Sequence, residues 1–306
     1  MPTKQIREAA GVTPTYASRP KPEVAGGLLR RLPHEPERAG LDPILARSGA
    51  LEARLALGKK EVRRAQKLRY RVFFEEGGAV PDPNARVIGR DICRYDRVCD
   101  HLIVVDTTLG QCGSPEVVGA CRLLRQDVAE RNFGFYSACE FDVAALIARR
   151  PTTRFLEVGR ACVASSHRGK HALELLWRGL WAYALRYGAD AMIGCASMPG
   201  ADPARHAGAI RALASHPVDP SWRVASRPDR AAPLGQSESP LADPRALVRE
   251  LPPLVKGYWR LGAIFSPIPV VDPAFNTTDV FVAMPLCDVE ERYLHYFGVP
   301  PAPLAA

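Results

Sequence analysis

Arg154-Phe-Leu-Glu-Val-Gly-Arg-Ala-Cys-Val163 is the stretch on which the fold of this chain turns. It is an apolar, strand-like run that carries Glu157 and Arg160 three residues apart. A basic turn, Ala164-Ser-Ser-His-Arg-Gly-Lys170, follows at once, and then a long amphipathic helix through Leu173-Glu-Leu-Leu-Trp-Arg-Gly-Leu-Trp-Ala-Tyr183. A strand that feeds a basic, Gly-containing turn and a helix N-terminus makes an anion-binding site, because the first backbone N–H groups are unpaired and the helix dipole is positive there. The charged pair admits two readings: chemistry, or an ion pair on a half-exposed strand. In a regular strand Glu157 and Arg160 point to opposite faces, so they meet only if a bulge intervenes.

Outward from this strand, Glu61 to Phe74 sets Val62, Ala65, Leu68, Val72 and Phe73 on one helical face, with Arg64, Arg69 and Arg71 off it. Residues 77–95 hold Gly, Pro, Asn and Asp and read as a loop. His101-Leu-Ile-Val-Val-Asp-Thr107 and Glu116-Val-Val-Gly-Ala-Cys-Arg-Leu-Leu124, joined by a turn at Cys112-Gly-Ser-Pro115, predict an antiparallel hairpin. Phe141 to Arg150 predicts a short helix stopped by Pro151, and Ala191 to Ser197 a buried strand. Asp202-Pro203 predicts a helix start, with Asp as cap and Pro at the first position, running to about His216. Pro252 to Gly262 reads as a short helix and Asp279 to Pro285 as a last strand. The order describes an α/β protein, a mixed central sheet flanked by helices. Residues 1–42, rich in Pro, Arg, Glu and Gly, read as a disordered N-terminal extension; an inserted loop is expected near 226–245 and a tail at 299–306.

The 306 residues are 47% hydrophobic, ordinary for a globular core, and carry a net charge of +8. Such a balance suits an acidic partner: nucleic acid, an anionic membrane surface or an acidic protein. Eight cysteines, at 93, 99, 112, 121, 139, 162, 195 and 287, show no Cys-x-x-Cys spacing, which argues against a zinc ribbon or a dithiol motif. Cys121, Cys162 and Cys195 lie in apolar runs and read as reduced core residues of a cytoplasmic protein. The N-terminus lacks the apolar core of a signal peptide. The apolar stretch Ala172 to Gly194 is interrupted by Glu174, Arg178, Arg186 and Asp190 and does not span a bilayer.

His167 and His171 stand four apart, but Gly169 lies between them and no carboxylate occupies the second position of the zinc motif, so no metal is expected. Neither a G-x-x-x-x-G-K-[S/T] loop, nor a strand-linked G-x-G-x-x-G, nor a G-x-S-x-G elbow occurs. Acidic residues gather instead. Asp91, Asp96 and Asp100 lead into the hairpin, and Glu140 and Asp142 follow Phe135-Tyr-Ser137. They solvate loops and cap helices, or they bind a cationic amine or take its proton.

Six segments in order resemble the ornithine–acyl-carrier-protein N-acyltransferases, GNAT-superfamily enzymes that make lyso-ornithine lipid. They are Leu68-Arg-Tyr-Arg-Val-Phe73, Tyr95-Asp-Arg-Val-Cys-Asp-His-Leu102, Val118-Gly-Ala-Cys-Arg-Leu-Leu124, Phe135-Tyr-Ser-Ala-Cys-Glu-Phe-Asp142, Leu156-Glu-Val-Gly-Arg-Ala-Cys-Val163 and Gly194-Cys-Ala-Ser-Met-Pro-Gly200. Leu251-Pro-Pro-Leu-Val-Lys-Gly-Tyr-Trp-Arg-Leu-Gly-Ala263 and Phe275-Asn-Thr-Thr-Asp-Val280 extend the likeness, which spans about residues 50–298. More distantly the chain is similar to acyl-homoserine-lactone synthases, whose acceptor and catalytic residues match Arg69 or Arg71, Phe73, Asp96, Asp100, Arg122, Glu157 and Arg160.

The resemblance implies a GNAT-like acyltransferase domain over 43–298, with a bulge in its central strand at Gly159. It implies aminolysis of a thioester, with Glu157 taking the ammonium proton. Arg160 and Arg122 would hold the amino acid's carboxylate. Asp96 or Asp100 would face its side-chain ammonium, and Arg69, Arg71, Phe73 and Glu140 would complete the acceptor site. The donor would lie along Val163, Arg168, Gly169 and Lys170. Where the GNAT donor loop places small residues, Arg168-Gly-Lys-His-Ala-Leu173 has His and Leu. That fits the single phosphate of an acyl carrier protein's phosphopantetheine thioester, here a substrate and not a resident cofactor. Alternatives are an acyl-homoserine-lactone synthase or another amino-acid N-acyltransferase, and a non-catalytic membrane-surface module. Nucleic-acid binding has no recognised module behind it. Tyr258, Trp259 and Arg260, beside Leu254 and Lys256, are expected to give peripheral contact with an anionic membrane at its cytoplasmic face.

Overall fold

The computed structural model describes residues 44–111, 114–215, 219–234 and 251–297. Two short strands absent from the sequence reading come first, β1 (Ile44–Ser48) and β2 (Leu51–Leu55). Helix α1 (Lys59–Tyr70) follows and continues as a wider π-helical stretch, Arg71–Glu76, a geometry frequent at functional sites. The 77–95 span is not all loop. Asp82 accepts from Asn84 N–H (2.8 Å) and Ala85 N–H (2.9 Å) and so caps α2 (Pro83–Ile88). This is the same Asp–Pro start that the sequence shows at Asp202-Pro203.

The expected hairpin forms from β3 (Asp100–Gln111) and β4 (Ser114–Arg125) and leads into α3 (Gln126–Glu130). Helix α4 (Val143–Arg149) starts where Asp142 accepts from Ala145 N–H (3.1 Å). Then come β5 (Phe155–Val163), α5 (Lys170–Arg186) and β6 (Ala191–Pro199). The helix expected from Asp202 begins as a tight turn, Pro203–His206, before α6 (Ala207–Ala214). The chain ends with α7 (Pro253–Arg260), β7 (Ile264–Phe265), β8 (Val270–Asp272), β9 (Thr277–Pro285) and α8 (Glu291–Tyr296).

One sheet runs β1-β2-β3-β4-β5-β6-β9-β7, with β8 also on β9. The pairing of β5 with β6 is parallel and the other described pairings are antiparallel. A parallel neighbour needs a crossover, and α5 supplies it. Along β6 and β9 the side chains alternate between two cores. Met192, Met198, Val280 and Val282 share one with Leu180 and Trp181 of α5, while Ile193 and Phe281 meet Phe141, Leu146 and Trp222 in the other. Burial on both faces explains why these strands read as continuous apolar runs.

Cys121 and Cys162 are buried and Cys195 is half-buried, all three as free thiols. Tyr258 is buried with its ring edge-on to Trp177 (5.3 Å), and Trp259 packs against the core. These two aromatics therefore hold α7 to the body and do not form a free membrane-facing pair. No described helix is long and apolar enough to cross a membrane. At the start of the expected inserted loop, Ser226 bridges to Phe141 and Ala231 to Val270. The expected extension (1–42), the rest of that loop (235–245), the tail (299–306) and the turn residue Cys112 lie outside the described residues.

Candidate active site

β5 and β6 stay in register only from Phe155↔Ala191 to Glu157↔Ile193. Beyond Glu157 that pairing ends, at a close approach on one side of β5 and a bulge on the other. A Cβ at Gly194 would sit 2.4 Å from Val158 O, so only glycine permits the approach made there. On the other side of β5, Ala120 faces Cys162 and Arg122 faces Gly159, so Arg160 and Ala161 together stand opposite Cys121. This is the bulge that the resemblance implied, and its left-handed residue is Arg160 (φ 54°), one position beyond Gly159. A non-glycine residue there is strained and persists only when its surroundings hold it. The Arg160 guanidinium lies over Phe275 (4.1 Å) and Tyr136 (4.9 Å), donates to Tyr136 Oη (3.3 Å) and approaches Asp91 Oδ2 at 3.4 Å. Bulge and parting together leave the 158–161 edge of β5 facing a cavity of about 330 Å³.

Glu157, Arg160, Arg122 and Phe73 all line this cavity. Glu157 is 4% exposed, and its carboxylate accepts from Tyr136 N–H (2.7 Å), Ser137 N–H (2.8 Å) and Ser137 Oγ–H (2.5 Å). Burial pushes its pKa up against these three donors and the Arg122 charge. Three of about four acceptor sites on a carboxylate are thus used, leaving room for one more proton donor. Arg122 is buried, with Nη1 2.7 Å from Cys93 Sγ and its guanidinium 5.6 Å from the Tyr136 ring centre.

Five expected acceptor residues do not line the cavity: Arg69, Arg71, Asp96, Asp100 and Glu140. Arg69 is wholly buried behind the wall, forking Nε to Asp91 Oδ2 (2.8 Å) and Nη2 to Asp91 O (2.6 Å) and Asp96 Oδ1 (2.8 Å). Asp96 also accepts from Cys93 N–H (2.8 Å); burial works to raise its pKa, but Arg69 and Arg122 hold it below its ordinary value. Asp100 is buried and accepts from Tyr183 Oη of α5 (2.7 Å). Arg71 is exposed. The loop acids therefore brace α1 and α5 against the sheet.

Glu140 behaves differently. Its carboxyl groups with those of Asp272 and Asp279, one ligand oxygen from each lying within 4.8 Å of the others, and all three are buried. Asp272 and Asp279 line the cavity. Burial and the two neighbouring carboxylates raise Glu140 to about 7, and burial raises Asp279 to about 6. Neither Asp was singled out from sequence, although Asp279 sits inside Phe275-Asn-Thr-Thr-Asp-Val280, one of the segments that carries the family likeness.

At the expected donor turn, Val163 pairs with Gly119 at the end of β5. Arg168 is exposed and ion-paired with Glu76, which also accepts from Ser165 Oγ (3.2 Å). Gly169 is the N-cap of α5 and provides no side-chain cap, so Lys170 opens the helix at an uncapped N-terminus. His167 lies 3.3 Å from Asp106, whereas His171 is exposed, and the two do not converge.

A central strand bulged on one side and parted from its parallel neighbour on the other, above an uncapped helix N-terminus, is the arrangement of a GNAT acyltransferase. The sequence agrees, since residues 68–178 match the acetyltransferase (GNAT) domain family. Across most of the chain there are nearer relatives. An L-ornithine N(alpha)-acyltransferase of Rhizobium meliloti (strain 1021) is 46% identical over 83% of this chain and 86% of its own length. Those of Agrobacterium fabrum (44%; 83% and 87%) and Rhodobacter capsulatus (36%; 80% and 94%) also align. The chain belongs to the L-ornithine N(alpha)-acyltransferase family. Among solved structures, the acyl-homoserine-lactone synthase LasI aligns over 83% of this chain and 98% of its own at 13% identity and a TM-score of 0.44, too distant a likeness to add to the argument.

Proposed function

We propose that the chain moves a (3-hydroxy)fatty acyl group from acyl carrier protein to the α-amine of ornithine, forming lyso-ornithine lipid. The carrying observation is the opened 158–161 edge of β5 beside a cavity that holds both cations and acids. An extended pantetheine arm adds to such an edge through β-like hydrogen bonds, which sets its thioester beside the amine. The uncapped start of α5, with Arg168, Gly169 and Lys170, would receive the arm's phosphate. Arg160 and Arg122 would orient the amino acid's carboxylate, and Phe73 would pack against the acceptor. Glu157 would take the ammonium proton at its remaining acceptor site. The free amine then attacks the thioester carbonyl, the carbonyl oxygen gathers charge, and a backbone N–H of the bulge would stabilise it. Collapse forms the amide and expels the pantetheine thiolate, which takes up the second proton lost by the attacking nitrogen.

The net charge of +8 favours an acidic carrier protein as the donor's bearer. The test is mass spectrometry of lipids from cells expressing the chain, with purified acyl carrier protein and coenzyme A thioesters compared in vitro. A new mono-acylated ornithine, made faster from the carrier protein and less so as salt rises, is the expected result. Free acyl-homoserine lactone as product would assign the other branch of the resemblance. A long-chain product also argues for peripheral contact with the cytoplasmic face of an anionic membrane, which vesicle flotation would test.

A further inference from the structure

We infer that Glu140, Asp272 and Asp279 form the subsite for the distal ammonium of the acceptor, making it the element that selects a dibasic amino acid; this rests on the acyltransferase reading above. Glu140 is 1%, Asp272 4% and Asp279 6% exposed. Carboxyl groups so buried and so close repel one another when charged, and a cation between them offsets that cost. The groups around them supply only part of one. Arg230 Nη2 is 3.6 Å from Glu140 Oε1, and Cys195 Sγ–H reaches Glu140 Oε2 at 3.7 Å. Asp272 Oδ1 accepts from Ala274 N–H (2.9 Å) and Phe275 N–H (3.2 Å). The Thr277 and Ser197 hydroxyls act on the Asp279 carboxyl from beside it, but its Oδ1 is buried with no hydrogen-bond partner, and the residue lines the cavity. A buried, unpartnered carboxylate oxygen at a cavity wall is costly unless a ligand completes it.

The ligand's chemistry follows from the rest of the cavity. Arg160 and Arg122 line the same space, so it offers cations for a carboxylate and a separate anionic corner for a second charge. An α-amino acid with a terminal ammonium carries those two charges at its two ends. An ammonium has three N–H donors, one for each of three carboxyl groups whose oxygens all lie within 4.8 Å of one another. A hard divalent cation takes oxygen ligands at about 2.0–2.6 Å and is the competitor for the same trio that the test below separates. The segment that supplies Asp272 also places Phe275 against Arg160, which couples the acidic corner to the carboxylate-binding guanidinium.

The test uses the purified full chain with an acylated carrier protein and two acceptors of the same skeleton, ornithine and norvaline, the latter lacking the distal amine. The wild type should prefer ornithine by about 10³-fold or more in kcat/KM, since a site built for a polar group rejects the analogue that leaves it unpaired. Asp279→Asn and Asp272→Asn should shrink that ratio by about 10²-fold, chiefly through the KM for ornithine. Wild-type use of norvaline equal to ornithine would overturn the subsite while leaving amino-acid acylation standing. So would a ratio within about threefold of wild type in folded Asp279→Asn. Thermal shift with acceptor alone separates the two readings. Stabilisation by ornithine but not norvaline, lost in Asp279→Asn, supports the subsite even if no acyl transfer is found. Stabilisation of EDTA-treated protein by Mg²⁺, Mn²⁺ or Ca²⁺, lost in the same variant and competed by ornithine, would overturn it in favour of a metal site.

Discussion

Arg69→Met separates bracing from substrate binding at a residue that family resemblance places in the acceptor site. The substitution nearly preserves volume but removes three hydrogen bonds, of 2.8, 2.6 and 2.8 Å, to Asp91 and Asp96. The side chains of Asp91 and Asp96 are only 7% and 4% exposed, so water cannot replace the guanidinium. Breaking one side of a buried ion pair costs about 3–5 kcal/mol. Arg160, 3.4 Å from Asp91, and Arg122, 3.8 Å from Asp96, remain and pull the figure toward the lower end. For a domain of this size the loss corresponds to a fall in Tm of roughly 6–20 °C. Thermal and urea melts of Arg69→Met should show it, and adding Asp91→Asn and Asp96→Asn should restore part of the loss by removing the stranded charges. If Arg69→Met melts within about 1 kcal/mol of wild type while the KM for ornithine alone rises, the residue binds substrate and the bracing argument is wrong.

Gly194→Ala should fold with a loss of about 1–3 kcal/mol and impaired donor use, because its Cβ would meet Val158 O at 2.4 Å on the opened edge; a normal melt with a normal donor KM would contradict this. Glu157→Gln should lower single-turnover rates by about 10²–10⁴-fold and disturb the Tyr136–Ser137 turn, since one amide end then offers a donor to a donor. Near-normal turnover would move proton acceptance elsewhere. Glu140 and Asp279 are raised in the folded state, to about 7 and about 6, from ordinary values of 4.5 and 3.8. The stability they confer is therefore complete below those ordinary values and is lost as pH rises through 6 and 7. The unliganded protein should melt lower at pH 8 than at pH 5, and Glu140→Gln, which leaves Asp272, Asp279, Arg230 and Cys195 around the site, should flatten that slope; an unchanged slope would assign it to other groups.

Period and punctuation carried the core of the fold by themselves. The apolar runs that became β3, β4, β5, β6 and β9 are short-range patterns, and so are the helix after Lys170 and the Asp142 cap. The Asp82-Pro83 start was equally readable and was hidden only by the loop-like residues around it. The first two strands were not readable, because the short β1–β2 hairpin is anchored through β2 to β3, which lies about 50 residues on. The site divides along the same line. Glu157, Arg160, Arg122 and Phe73 were visible as residue types in family segments, and the structure brings them to one cavity. That Arg160 rather than Gly159 takes the left-handed turn was settled by the rings of Tyr136 and Phe275 that hold its guanidinium. That Arg69, Asp96 and Asp100 brace the wall, while Glu140 groups with Asp272 and Asp279, which line the cavity, was decided by strand register and helix packing. A carboxylate's role depends on which charges burial sets beside it, and those neighbours come from segments far apart along the chain.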